Sequence, residues 1–316
     1  MSRSVFQSVL KFNCRLRLFT LAVAAGFTTS LSGRHASAQY TPVAVDFATS
    51  VVASNLDGET NTPYNNPAAV LGPPTVTFND PYGASSGDTK GYDNSKIIEP
   101  PYDTDKATGN DVITVIPQST PTATYSITVQ MGRPVTHNPG NPYGIDLIVY
   151  GNSFFTATGS DPAANDGTNL STYDLGAVYG HPLIVSVSPD GVNWYTYPEV
   201  STLLPFQAFQ WNDATQSSTT NLLDFNQPVN PSVAAGALAG GYSTASQVLD
   251  AYGGAAGGTG FSLAGTGFPS IDYVRVSSGT DGYAVVDAIA AVDPVPEPAA
   301  FGLLAISGAA LLVRRR

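Results

Sequence analysis

The chain has 316 residues, with 31 glycines, 24 prolines and a single cysteine, a composition that argues for many turns and against long helices. Cys14 is that cysteine, so beyond the first 38 residues disulfides, cysteine zinc sites and thiol nucleophiles are excluded. Between residues 39 and 313 only Lys90, Lys96, Lys106, Arg133 and Arg275 oppose all 24 acidic residues, a net charge of −19. Such a body repels nucleic acid and anionic headgroups, and no nucleic-acid partner is expected.

The first 38 residues read as a secretory signal peptide. Arg3, Lys11, Arg15 and Arg17 form a basic n-region, and Leu18 to Phe27 an apolar h-region. Ala36-Ser37-Ala38 is a small-x-small cleavage site, with Ala36 and Ala38 as its recognition residues. Roughly ten apolar residues are too few for a helix to span a bilayer. Leu16 separates Arg15 from Arg17, so there is no twin-arginine pair. The expected partners at this end are the Sec translocon and signal peptidase.

Residues 39–293 form the body. Strands are expected near Val43–Val52, Val112–Ile116, Thr122–Met131, Ile145–Phe154, Leu183–Ser188, Asn193–Tyr197, Ile271–Ser277 and Ala284–Val292. In Tyr125-Ser126-Ile127-Thr128-Val129-Gln130-Met131 the odd positions are apolar, which makes one buried and one wet face. Two long loop insertions interrupt the strands, over about 54–110 and 198–269. Loops of this length carry function or disorder. Inside the second, Thr244 to Tyr252 reads as a short helix with Ser243 at the N-cap and Gly253-Gly254 ending it. Gly254 to Gly267 reads as a flexible stretch. The expectation is an all-β body, an antiparallel β-sandwich of jelly-roll type.

Residues 294–316 form a tail. Val295-Pro296-Glu297-Pro298 precedes an uncharged stretch, Ala299 to Val313, and Arg314-Arg315-Arg316 closes the chain. Fifteen helical residues reach about 22 Å, short of a bilayer core of roughly 30 Å unless the arginines snorkel or the bilayer thins. The prolines stop the helix at its outer end, and the arginines stay on the cytoplasmic side. These features resemble the PEP-CTERM sorting signal. The resemblance implies that a membrane protease of the exosortase type reads Pro296, Glu297 and Pro298 and removes the helix. It also implies a Gram-negative bacterium with an exopolysaccharide system. The protein would be held in the inner membrane transiently, then passed to the cell surface or extracellular matrix.

The body carries two further resemblances. Ile184 to Trp194, a strand, a Pro189-Asp190-Gly191 turn and a second strand, is similar to the V-S-x-D-G-x-x-W hairpin of discoidin-type, galactose-binding-like domains. That resemblance implies that Tyr273-Val274-Arg275-Val276 pairs back into the sheet, and that Trp194 is a core aromatic. The body as a whole resembles a group of PEP-CTERM surface proteins through Asn66 to Gly72, Gly144 to Asn152, Leu249 to Gly254 and Val286 to Ile289. It departs where Gly151 replaces an expected Glu, and where Ala284-Val285 replaces an acidic residue.

Catalytic residues are not expected. His137 and His181 stand in loops beside prolines and read as isolated, solvent-exposed groups. No Gly-x-Ser-x-Gly elbow occurs, and nothing singles out a carboxylate pair for glycoside hydrolysis. Calcium is the one cofactor with a rationale. Asp103, Asp105 and Asp111 lie within nine residues of a turn-rich segment, and hard oxygen ligands suit that ion; a solvated acidic turn is the alternative. Trp211, with Phe209 and Asp213, is the candidate glycan contact, or else it pins the insertion to the sandwich. The overall expectation is an exported, exosortase-sorted, non-enzymatic protein that binds exopolysaccharide. A purely structural matrix component and a carbohydrate-active enzyme are the alternatives.

Overall fold

The computed structural model describes residues 39–57, 66–76, 104–105, 110–111, 113–157, 175–212, 214, 217–279 and 282–293. The chain divides into two units, Met1–Gln39 and Tyr40–Arg316. Only Gln39 of the first is described, so the expected signal peptide lies outside the described residues, as do the tail from 294 and the helix expected at 299–313. Among the described residues no helix is long and apolar enough to cross a membrane.

The described residues of the second unit form an all-β body with two short α-helices. Its strands are β1 (Ala48–Asn55), β2 (Thr104–Asp105), β3 (Asn110–Asp111), β4 (Thr114–Ile116), β5 (Ser126–Thr136), β6 (Leu147–Tyr150), β7 (Phe154–Ala157) and β8 (Leu175–Tyr179). There follow β9 (Ile184–Ser188), β10 (Tyr195–Thr196), β11 (Phe209–Asn212), β12 (Ser217–Leu222), β13 (Thr259–Phe261), β14 (Ser270–Ser277), β15 (Ala284–Val286) and β16 (Ala288–Ala291). The helices, α1 (Pro231–Leu238) and α2 (Ala245–Tyr252), lie between β12 and β13.

A five-stranded antiparallel sheet runs β1-β5-β14-β9-β10, and a three-stranded one runs β13-β6-β16. The pairs β4–β15, β7–β8, β11–β12 and β2–β3 are separate antiparallel ribbons. Strand β14 pairs with both β5 and β9, which is the place the hairpin resemblance implies for it. The apolar face read in the sequence of β5 is realised, while on its other face Thr128 is also buried. Ile127, Val129 and Met131 share one core with Val185, Val187, Val274 and Val276 of the same sheet, and with Leu147, Val149 and Ile289 of the three-stranded sheet.

The three-stranded sheet is buried on both faces. Leu147 and Val149 join that first core, while Ile148 and Tyr150 join a second with Ala288 and Ala290. This explains why β6 reads Leu-Ile-Val-Tyr without a charged or amide residue. The second core is completed by Phe206, Ala208, Leu223, Phe225 and Ala256 of the insertion. Tyr150, Phe206 and Phe225 form one aromatic cluster in which Tyr150 meets the other two edge to face, and the Tyr150 hydroxyl donates to Phe225 O at 2.7 Å. A third core joins α1 and α2 to Phe155 and Leu204 through Val248 and Tyr252.

Residues 198–269 are therefore not a loop. The segment Phe206–Ala208, the end of the β11–β12 ribbon with Leu223 and Phe225, and Ala256 cover the outer face of the three-stranded sheet. The two helices pack in the third core against Phe155 and Leu204, and β13 is a strand of the sheet itself. The stretch Gly254 to Gly267, expected to be flexible, is packed instead: Ala255 and Ala256 are fully buried. Gly257 has φ +95°, and a Cβ there would lie 2.1 Å from Pro205 O. Only glycine lets the backbone come so close at that φ. The helix α2 starts one residue later than expected. Thr244 is its N-cap, its hydroxyl accepting from Gln247 N, while the Gln247 side chain accepts from the Thr244 N–H in a capping box.

Strand limits also move: the strand expected near Val43–Val52 runs over Ala48–Asn55 after a 3-10 helix at Ala44–Asp46, and the one expected near Ile145–Phe154 is Leu147–Tyr150. The strand expected to end at Met131 runs on to Thr136 as β5. Gly132-Arg133-Pro134 looks like a breaker but forms a bulge: Gln130 faces Tyr273 and Val135 faces Ile271, so four residues of β5 oppose Asp272 alone. The strand expected over Ala284–Val292 breaks at Asp287. Its first half pairs with β4 and its second with β6.

Candidate functional site

Of the residues singled out in the sequence, Ala36, Ala38, Pro296, Glu297, Pro298, Arg314, Arg315 and Arg316 lie outside the described residues, as do Asp103 and Asp213. Asp105 stands opposite Asn110 and Asp111 opposite Thr104 in the β2–β3 ribbon. Among the described residues no group of three His, Cys, Asp or Glu side chains gathers to hold a metal ion. Trp211, described in its backbone, pairs with Ser218 across the β11–β12 ribbon. Phe209 packs half-buried against the second core, where it holds the insertion to the sheet.

Trp194 is not in any of the three cores, contrary to expectation. It is half-buried, its indole N–H donates to Gly191 O at 3.0 Å, and the Arg275 guanidinium lies 3.9 Å from its ring centroid. Arg275 Nε donates to Thr128 Oγ1 at 3.1 Å. Stacking on the indole gives the half-buried guanidinium a favourable partner where no ion pair is formed among the described residues.

The two histidines are not isolated either. His137 Nδ1 donates to Asp146 Oδ2 at 2.9 Å. Asp146 is fully buried and accepts three more hydrogen bonds, from Asn138 N, Asn141 Nδ2 and Leu263 N at 2.8–3.0 Å. Four donors compensate the desolvation of that carboxylate and tie the loop before β6 to the segment after β13. With every lone-pair direction taken, Asp146 orients His137 but has no capacity left for a metal.

His181 belongs to a different arrangement. Strands β7 and β8 pair Phe154 with Tyr179, whose rings stand 5.3 Å apart. The chain then turns at Gly180 and brings His181 back against Tyr179, edge on at 5.4 Å. Tyr283, just before β15, lies over His181 with centroids 3.9 Å apart and planes 35° from parallel. Tyr179 is 49% exposed and Tyr283 42%. Burial pushes the His181 pKa below its ordinary value, so the imidazole is neutral at pH 7. The four rings make one continuous, uncharged aromatic row at the surface. Sequence reasoning missed it because Phe154 and Tyr179 are 25 positions apart, and Tyr283 a further hundred or so.

The other buried carboxylates among the described residues are Asp287 and Asp46, and the exposed Asp293 shares the partner of Asp46. Asp287 accepts from Thr75 N at 3.0 Å and from Thr75 Oγ1 at 2.9 Å, and burial raises its pKa to about 7. Asp46 is bound by Arg133 Nε, and Asp293 by Arg133 Nη2 at 2.6 Å. Near Asp287 in the fold, Gly151 stands where the resemblance implies a Glu. A Cβ at 151 would lie 2.6 Å from Val285 O and 2.7 Å from Leu203 Cδ1. The two departures from the family pattern are thus neighbours in space: the closely packed β15 backbone leaves no room for a side chain at 151.

No family model, curated protein or solved structure matches this chain.

Proposed function

We propose that this chain is an exported, exosortase-sorted cell-surface or matrix protein whose body binds exopolysaccharide without acting on it chemically. The observation that carries the sorting half is where the packed body begins and ends. Tyr40, two residues after the expected cleavage point, lies edge to face on Phe225, and its hydroxyl donates to Asn226 Oδ1. Asn226 Nδ2 donates in turn to Ala291 O at 2.7 Å, and Asp293 N donates to Asn226 O at 3.3 Å. Both ends of the body are pinned on one buried asparagine. Arg133 adds a second clasp by holding Asp46 near the start and Asp293 at the end. A protein cut at both ends keeps its fold only if the cuts fall outside the packing. The expected sites, after Ala38 and at Pro296-Glu297-Pro298, lie just beyond these anchors.

The fold reading extends the same way. The β9–β10 hairpin and the place of β14 between β5 and β9 support an antiparallel jelly-roll-type sandwich of the galactose-binding-like kind. Intact mass spectrometry of the protein from an exosortase-bearing host tests the sorting reading. The expected species begins at Gln39 and lacks Arg314-Arg315-Arg316. A species that retains Arg316 would leave the tail as a plain anchor and overturn exosortase processing. Retention of the protein on the host's own exopolysaccharide tests the binding half, and passage without retention refutes it.

A further inference from the structure

We propose that Phe154, Tyr179, His181 and Tyr283 form a docking strip for a neutral polysaccharide chain. This rests on the reading that the body meets exopolysaccharide, and it supplies the contact surface and the charge class of the glycan.

The choice of occupant follows from three observations. The first is the shape and chemistry of the row. Rings follow one another at centroid separations of 5.3, 5.4 and 3.9 Å, and the two tyrosines present close to half of their surface to solvent. Each exposed member combines an apolar face with a polar edge, the pairing that a sugar ring offers in mirror form through its C–H face and hydroxyl rim. The second is charge. The body, residues 39–293, carries 5 basic against 23 acidic residues, a net −18, and the only Lys or Arg among the described residues are Arg133 and Arg275. Arg133 is bound to Asp46 and Asp293, and Arg275 lies over Trp194. A polyuronate or a phosphorylated glycan would meet net repulsion and, among the described residues, no cation that is not already engaged. The third is what surrounds the row. The large exposed aliphatic side chains among the described residues are Val43, Val45, Val52 and Val192, all on other segments. A protein partner normally takes aliphatic or aromatic anchors within a larger apolar patch. This row offers rings, most of them with polar tips, and among the described residues no such patch.

Affinity electrophoresis of the full chain tests the proposal, with gels holding a soluble neutral β-glucan, a neutral galactomannan, a polyuronate, or the host's exopolysaccharide fraction. Retardation is expected on a neutral gel and on the host fraction, and none on the polyuronate. Tyr179→Ala and Tyr283→Ala should each weaken retardation by about three- to tenfold, the scale of one lost aromatic contact. Tyr179→Phe should restore it. Tyr143→Ala removes a tyrosine that is 56% exposed and outside the row, and should change nothing. A tyrosine difference spectrum of the unsubstituted protein with the retarding glycan gives a second measurement that needs no variant to fold. Retardation on the host fraction that all row variants share would overturn the strip while leaving exopolysaccharide binding intact. Retardation on the polyuronate alone would overturn the neutral assignment. Free passage through every gel would overturn both.

Discussion

Replacing Asp287 with asparagine should make the protein more stable at neutral and alkaline pH. Asp287 is fully buried between β15 and β16, and its described hydrogen-bond donors are the N–H and hydroxyl of Thr75. Two neutral donors do not replace the water a carboxylate gives up, so burial lifts its pKa from 3.8 to about 7. Between these values the folded chain holds a proton that the unfolded chain has released. The group's contribution is therefore most favourable below pH 4 and is lost as pH rises through about 7. A rise of about three pH units, at about 1.4 kcal/mol each, puts the cost of the ionised group at alkaline pH on the order of 4 kcal/mol. An asparagine side chain at this position would keep the shape, with its Oδ1 accepting from Thr75 N and its Nδ2 donating to Thr75 Oγ1. It would carry no charge to bury. Urea unfolding followed by fluorescence at pH 4 to 8.5 should show Asp287→Asn more stable by about 2–4 kcal/mol at pH 8, with the gap closing toward pH 4. A gap that does not change with pH, or a variant weaker than the parent at pH 8, would refute the reasoning.

The same substitution at Asp146 should do the opposite. An amide there turns one oxygen into an NH₂ facing donors from His137, Asn138, Asn141 or Leu263, and the loss should reach roughly 3 kcal/mol at neutral pH in urea unfolding. Gly257→Ala forces a Cβ against Pro205 O at a φ that L residues avoid, and should lower stability by about 2 kcal/mol or more, read as an earlier thermal midpoint. Arg133→Leu strands the buried Asp46 carboxylate and should cost about 1–3 kcal/mol, reduced from the fully buried case because Arg133 is partly exposed. Adding Asp46→Asn should recover part of that loss in a double-mutant cycle, and a strictly additive cycle would argue against the clasp.

What could be read from the sequence was set by short-range patterns. The alternation in Tyr125 to Met131 placed β5 because side chains on a strand change face at every residue. The Pro189-Asp190-Gly191 turn marked the β9–β10 hairpin, and Gly253 marked the end of α2, because each needs a local backbone geometry that few residues supply. The address expected from the ends of the chain rests on the same kind of pattern, charge, apolar length and proline along a continuous segment. Pairings between distant segments left no such trace. The turn-rich insertion became a packed layer because it covers the outer face of β6, whose Ile148 and Tyr150 would otherwise face water. Trp194 left the core for Arg275, a partner 81 positions away. His137 and His181 gained company only when Asp146 and the tyrosines folded against them. Local conformation is specified residue by residue, so the sequence alone placed the strands with clear alternation and the sharp turns, while Leu175–Tyr179, Phe209–Asn212, Ser217–Leu222 and Thr259–Phe261 became strands that it did not announce. Which faces are covered, and which side chains meet across them, depends on long-range burial, and only the tertiary structure decided where the aromatic row lies.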